Sequence, residues 1–313
     1  MAITAGMVKE LRELTGAGMM DCKKALNETN GNMEEAVEFL RKNGQAKAEK
    51  KAGRIAAEGL VRSATKGDDI AAIVEVNSET DFVAKNEEFQ TFVDAVAAQA
   101  IETAAQDLDA FLAESWNLDK SKTVNDALTE KISVIGEKLS IRRFEKIVAE
   151  NGCVVTYIHG GGRIGVVVEA DTVVVNDSVK EALTNIAMQI AALAPKYVSQ
   201  AEVSDEYKEH EKEILFSQAK VENAALPAEK QKPEAIIEKM IIGRLNKELK
   251  EICLLDQAYV KDGDLTVGKY LAGVSKEVGA DITVKRFVRF ETGEGIEKKS
   301  EDFAAEVAAQ MGN

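Results

Sequence analysis

Five acids crowd one short stretch of the chain: Glu75, Glu79, Asp81, Glu87 and Glu88. Carboxylates in that number can hold a hard cation. Loops that do so set their ligands at alternate positions around a sharp glycine turn, and no glycine lies between residues 68 and 135. The cluster therefore reads as a solvated acidic face, and no metal is expected. His159-Gly-Gly-Gly-Arg-Ile-Gly165 satisfies the spelling Gly-x-Gly-x-x-Gly. A dinucleotide fingerprint must open a helix whose N-terminus receives the pyrophosphate, whereas this run leads into Val166-Val-Val-Glu169, a strand pattern. It reads as the turn of a β-hairpin. His159 flanks that turn and could act as a base, but the other histidine, His210, lies far along the chain, and no Ser/His/Asp or Cys/His set accompanies either. Cys22, Cys153 and Cys253 are odd in number and widely separated, which fits buried thiols in a reducing compartment better than a disulfide framework or a zinc site. Covalent catalysis and a bound cofactor are not expected.

The stretch with the clearest potential is Thr80-Asp-Phe-Val-Ala-Lys-Asn-Glu-Glu-Phe89, where an acid and an aromatic meet between a strand, residues 70–76, and a helix carrying Phe89, Phe92, Val93 and Val96 at helical spacing. Two readings apply. Asp81 caps the helix and Phe82 closes its first turn onto the core, as apolar residues beside helix starts commonly do. Alternatively, the strand and helix fix both ends of a connection that presents Asp81 and Phe82 to a partner. Residue types alone favour the cap.

The 313 residues suffice for two or three domains, and their 54 acids against 40 Lys and Arg give a net charge of -14. That balance disfavours a phosphate-tracking surface, and with aromatics at 5% of residues a base-stacking platform is also disfavoured, so no direct nucleic-acid partner is expected. The N-terminus lacks a signal pattern and no apolar run reaches membrane-spanning length, which points to a cytoplasmic protein without a membrane partner.

The elements that must position the Thr80 stretch follow an α+β plan. Residues 1–44 read as three short helices: one capped by Thr4 and ended by Gly16, a second from Met19 to Glu28, and a third opened by Asn32 with Glu35 and closed by Asn43-Gly44. Adjacent helical residues point about 100° apart, so Met19 and Met20 cannot easily both pack inside so small a bundle. Residues 45–55 read as a basic linker. Beyond it lies an internal repeat. Thr123-Val-Asn-Asp-Ala-Leu and Gly136-Glu-Lys-Leu-Ser-Ile-Arg-Arg-Phe144 match Thr266-Val-Gly-Lys-Tyr-Leu and Gly279-Ala-Asp-Ile-Thr-Val-Lys-Arg-Phe287 without a gap. The repeat defines two related subdomains, residues 56–150 and 151–290, each a three-stranded antiparallel sheet with helices on one face. Into the second is inserted, at about residues 200–258, an antiparallel helical hairpin with Tyr207, Ile214 and Val221 at seven-residue spacing and Pro233 in the first turn of its second helix. The hairpin, or the core, offers a surface through which complexes could pair. Residues 291–313 end in a short amphipathic helix near 301–310.

Taken together these motifs resemble the bacterial elongation factor Ts family, the guanine-nucleotide exchange factors for elongation factor Tu. The resemblance rests on Glu10-Leu-Arg-Glu-Leu-Thr-Gly-Ala-Gly-Met-Met-Asp-Cys-Lys-Lys-Ala25, Thr80-Asp-Phe-Val-Ala-Lys85, His159-Gly, Arg163-Ile-Gly-Val166, Arg289-Phe with Gly293-Glu-Gly-Ile-Glu297, and Asp302-Phe-Ala-Ala-Glu306. It implies that the N-terminal helices form a ubiquitin-associated-like module and that the C-terminal helix is a docking module. It also implies that Asp81 and Phe82 of Thr80-Asp-Phe-Val83 enter the partner near its nucleotide and magnesium, and that Met19, Met20, Lys23, Lys51, Ile135, His159 and Val260 are further contacts. Beside Val260 the family can carry Met, where this chain has Lys261. A partner-binding adaptor without exchange activity, and a nucleotide enzyme built on the Gly160 loop, are the alternatives.

Overall fold

The computed structural model describes residues 2–297; the helix expected near 301–310 lies outside them. Three helices open the chain, Ala5–Thr15 (α1), Met19–Glu28 (α2) and Met33–Lys51 (α3). The Thr4 hydroxyl accepts from the Met7 N–H and Gly16 closes α1 at φ 66°. Asn32 accepts from the Glu35 N–H at 3.2 Å while its amide donates back to the Glu35 carboxylate. Leu11, Cys22, Ala25, Leu26 and Ala36 make the small core of this bundle. In one respect it differs from expectation: α3 does not stop at Asn43-Gly44 but runs on through the segment that reads as a linker. A helical glycine costs about 1 kcal/mol relative to alanine. Here the buried Gly44 lies so close to a later helix that an added Cβ would touch Ser133, and that packing sustains α3 past the break.

The first subdomain runs β1 (Glu58–Lys66), β2 (Ile70–Ser78), α4 (Asp81–Ala84), α5 (Glu87–Glu102), α6 (Leu108–Ala113), a small ribbon of β3 (Ser115–Trp116) and β4 (Asp119–Thr123), α7 (Val124–Ile135) and β5 (Leu139–Val148). The second runs β6 (Gly152–His159), β7 (Ile164–Asp171), α8 (Asp177–Leu193), α9 (Asp205–Ala224), α10 (Glu234–Ile252), a ribbon of β8 (Ala258–Tyr259) and β9 (Asp262–Thr266), α11 (Val267–Val278) and β10 (Thr283–Glu291). Each holds an antiparallel three-stranded sheet, in the orders β1-β2-β5 and β10-β7-β6. The repeat extends to single hydrogen bonds. Gln99 accepts from the Asn117 N–H and Gln189 from the Val260 N–H, both at 2.8 Å, so each main helix grips its subdomain's ribbon in the same way. Gly59 and Gly152 open the two hairpins at φ 132° and 136°.

Helices cover one face of each sheet, and the other two faces pack on each other. Val61, Ala71, Ile73 and Ile147 meet Val154, Val167 and Phe290 there. That is why residues 71–78 of β2 are buried without alternation. At the centre of this contact Gly165 leaves no room for a side chain: a Cβ would lie 2.4 Å from Val61 Cγ1. Gly165→Val is expected to destabilise the protein by about 1 to 3 kcal/mol through overpacking, read as a lowered urea midpoint at unchanged slope.

The inserted hairpin, α9 and α10, follows its expectation except in the seam. Val221 is 71% exposed. Near the tip Leu215, Phe216 and Ala219 face Ile237 and Ile241 instead. A straight helix drifts by about 20° per heptad, which carries a strict seven-residue stripe off the contact line. Pro233 stands at the cap of α10, one place before its first helical residue. Among the described residues no helix is long and apolar enough to cross a membrane.

Candidate functional site

The Thr80 stretch contains two successive helix caps. Thr80 accepts from the Val83 N–H through its hydroxyl and starts the four-residue α4; Asn86 accepts from the N–H groups of Glu88 and Phe89 and starts α5. Asp81 is therefore not the cap, and Phe82 is not the staple. Each cap position is already filled, and the core contacts of this stretch go to Ala84, Phe89 and the half-buried Val83. Phe82 is left 80% exposed. The Asp81 carboxylate is on the surface beside the Lys85 ammonium, at 2.6 Å, and that hydrogen-bonded cation holds its pKa below the ordinary value. Asn86-Glu-Glu-Phe89, a cap followed by acids and an apolar residue, was the signal that α5 needs no help from Asp81.

Neighbouring acids brace the base of α4. The Glu137 carboxylate accepts from the Thr80 N–H at 3.0 Å and from the Thr80 hydroxyl at 2.7 Å. Glu79 accepts from the Lys138 N–H and from the Arg54 guanidinium, and the Lys138 ammonium donates to the Arg54 carbonyl at 2.7 Å. Glu79 is visible in the sequence only as one of the five acids, and Glu137 only as an acid following the helix-ending Gly136, where the repeat has Ala280.

Two expected contacts, Ile135 and Lys51, lie beside this brace. Ile135 closes α7 two residues before Glu137, half-buried on the first subdomain's core. Lys51 closes α3 and lies among Arg54, Lys47, Glu79 and Glu137. Burial, then Arg54 and Lys47, lower its ammonium pKa below the ordinary value. Met19 and Met20 are both exposed at the start of α2, and Asp21 in the same turn pairs with Lys47 at 2.8 Å, one turn before Lys51. Lys23 is exposed on the same helix. His159 sits on the β6–β7 turn, its Nδ1 hydrogen-bonded to the Tyr157 hydroxyl, and that turn is tied to β1 by the Val61 N–H on Gly162 and by Arg62 on Gly161. Val260 stands apart from them in sequence and element, at the β8–β9 turn of the second subdomain. Lys261 beside it reaches down to Asn185 at 2.7 Å, leaving Val260 as the exposed apolar residue of that turn.

The acidic cluster is not a solvated face throughout. Glu75 is wholly buried and held by Arg142 and Arg143, Glu79 is in the brace, and Glu88 pairs with Lys131. Among the described residues no three His, Cys, Asp or Glu are placed to hold a metal ion. Gly160, Gly161 and Gly162 all take positive φ in the β6–β7 hairpin turn, as the turn reading requires. The three cysteines are buried and free, and burial raises each thiol's pKa, away from nucleophilic use.

The stretch thus presents an exposed aromatic and an ionised acid on a base braced by two carboxylates, and Met19 and Met20 are exposed on α2. Similarity to known proteins identifies the family. The family model for Elongation factor TS matches residues 79–294. Elongation factor Ts of Clostridioides difficile is 54% identical over 310 residues, and that of Clostridium perfringens strain SM101 is 53% identical over 311, with 99% of each chain covered in both cases. Elongation factor Ts of Clostridium tetani is 51% identical over 310 residues, again covering 99% of each chain. The chain belongs to the elongation factor Ts family, and is thereby a translation elongation factor of the nucleotide-exchange kind.

Proposed function

We propose that this chain binds elongation factor Tu carrying GDP and promotes GDP release by inserting Asp81 and Phe82 beside the nucleotide and its magnesium. The carrying observation is Phe82, an aromatic 80% exposed on a segment whose base is braced by two carboxylates. A large apolar side chain held in water on rigid support is ready to be buried in a partner.

The mechanism is differential binding. A factor that bound the nucleotide-loaded and empty partner equally would shift nothing, so its contacts must be better in the empty state, and nucleotide must in turn weaken the factor by the same ratio. Phe82 supplies such a contact if the cleft it fills opens only as nucleotide leaves. Asp81, kept ionised by Lys85, brings an acceptor that competes for the donors and cation around the phosphates. Met19, Met20, Lys23, Lys51, Ile135, His159 and Val260, with Thr80 and Val83 flanking the wedge, provide docking contacts that serve both states. The chain itself performs no covalent step.

The test is the release of fluorescent GDP from elongation factor Tu with and without this protein. Accelerated release is expected. Tight binding with unchanged release would replace the exchange factor with an adaptor.

A further inference from the structure

We propose that Glu137 is a positioning residue for nucleotide release, aiming Asp81 and Phe82 through Thr80. The proposal rests on the insertion reading above.

Both oxygens of the Glu137 carboxylate are committed to Thr80, one to its N–H at 3.0 Å and one to its hydroxyl at 2.7 Å. The same hydroxyl accepts from the Val83 N–H at 3.3 Å. Glu137 is thus linked through one side chain to the first turn of α4. A helix of four residues is too short to hold its own direction, since nucleation is unfavourable and few internal bonds form. Its cap decides where Asp81 and Phe82 point. Glu79 makes the reciprocal bond, accepting from the Lys138 N–H, so the loop after β2 and the loop after α7 each clasp the other's backbone with a carboxylate. Arg54 and Lys138 join the end of the N-terminal module to the same clasp.

The internal repeat shows what this clasp is for. Features that build the fold occur in both subdomains: the Gln99 and Gln189 grips, the glycines opening each hairpin, and the buried Glu75 and Glu169 with their basic partners. The clasp occurs in one. Where the first subdomain has Gly136-Glu137-Lys138, the second has Gly279-Ala280-Asp281. Its own segment after β7, at Val173, is 92% exposed and followed by no wedge motif. A subdomain of this type folds without the clasp. The clasp accompanies the wedge.

The experiment uses the full chain and compares Glu137→Ala, Glu137→Gln, Phe82→Ala and the double variant Phe82→Ala with Glu137→Ala. Each is assayed for release of fluorescent GDP from elongation factor Tu at increasing factor concentration, with the thermal midpoint recorded. Glu137→Ala is expected to lower the maximal release rate roughly tenfold, as a misaimed group does, while the half-saturating concentration changes less than about twofold. Glu137→Gln keeps the shape and one acceptor oxygen, and is expected to recover part of the rate. In the Phe82→Ala background the further loss from Glu137→Ala should be under about twofold, because there is no ring left to aim. A normal rate for both Glu137 variants alongside a slowed Phe82→Ala overturns the inference and spares the insertion reading. An equal fold-loss in both backgrounds overturns it in favour of a purely structural role. A normal rate for Phe82→Ala removes the insertion reading, and the inference with it.

Discussion

Phe82→Ala is expected to slow stimulated GDP release about 10- to 100-fold while leaving the thermal midpoint where it is. The magnitude follows from area: burying an aromatic side chain is worth about 1.5 to 3 kcal/mol, and about 1.4 kcal/mol is a factor of ten. Little of that is already used within the free factor, because Phe82 is 80% exposed. For the same reason its loss opens no cavity, unlike that of Phe89, which is fully buried in the next helix and whose truncation is expected to cost about 3 to 5 kcal/mol. The rate loss should fall on the maximal rate more than on half-saturation. In the proposed mechanism docking through Met19, Met20 and Lys51 serves both states of the partner, whereas the ring's burial belongs to the empty state. A variant that releases GDP at the parent rate, with unchanged circular dichroism and midpoint, would remove Phe82 from the mechanism.

The sequence spelled out whatever depends on local pattern. Thr4, Gly16 and Asn32 mark helix ends by their own side chains or backbone freedom, and the structure places the ends there. The repeat was legible because two copies of one plan share turns, return strands and basic pairs. Illegible were the features decided at long range. Gly44 breaks a helix by propensity and continues one by packing against Ser133. Glu75 looks like its acidic neighbours until the chain brings Arg142, Arg143 and, 218 residues away in sequence, the Gly293 N–H onto it. The packing of sheet on sheet left only an indirect trace, the unbroken apolar run of β2. At the site, Phe82 beside a helix start fits the common staple, and only the presence of a second cap at Asn86 separates that outcome from the observed one. The exposure of Phe82 departs from the staple that residue types favour.

Glu75 carries the second large expectation. Its Oε1 accepts from Arg142 at 3.0 Å, Asn77 at 3.0 Å and the Gly293 N–H at 2.8 Å, and its Oε2 from Arg143 at 2.6 Å. Arg143 also lies over the Phe290 ring at 4.2 Å and donates to the Glu291 carbonyl. One carboxylate thereby ties β2 and β5 to the turn that follows β10, across the joint between the two subdomains. Gly293 makes the approach possible: at φ 73°, an added Cβ there would lie 2.1 Å from the Ala57 carbonyl oxygen. Glu75→Ala removes the anion and leaves two guanidinium groups facing each other, which is expected to cost about 3 kcal/mol, the lower end for a broken buried pair, because both arginines keep roughly 30% exposure to water. The pH dependence is a sharper discriminator. Burial by itself would raise the Glu75 pKa, but the donors from Gly293, Asn77, Arg143 and Arg142 outweigh it and hold the pKa below the ordinary 4.5. Glu169 is lowered in the same way, its burial outweighed by Arg286 and Lys285. A carboxyl depressed on folding stabilises the native state fully above its unfolded pKa and loses that contribution as pH falls through the folded one. The thermal midpoint should therefore hold from neutrality to about pH 5 and then decline steadily below about pH 4.5. In Glu75→Gln the midpoint starts lower at pH 7, and the acid decline becomes shallower because one of the depressed carboxyls is gone. A Glu75→Gln protein with the parent midpoint at pH 7 and the parent slope in acid would show that the Arg142 and Arg143 pair contributes nothing to the joint.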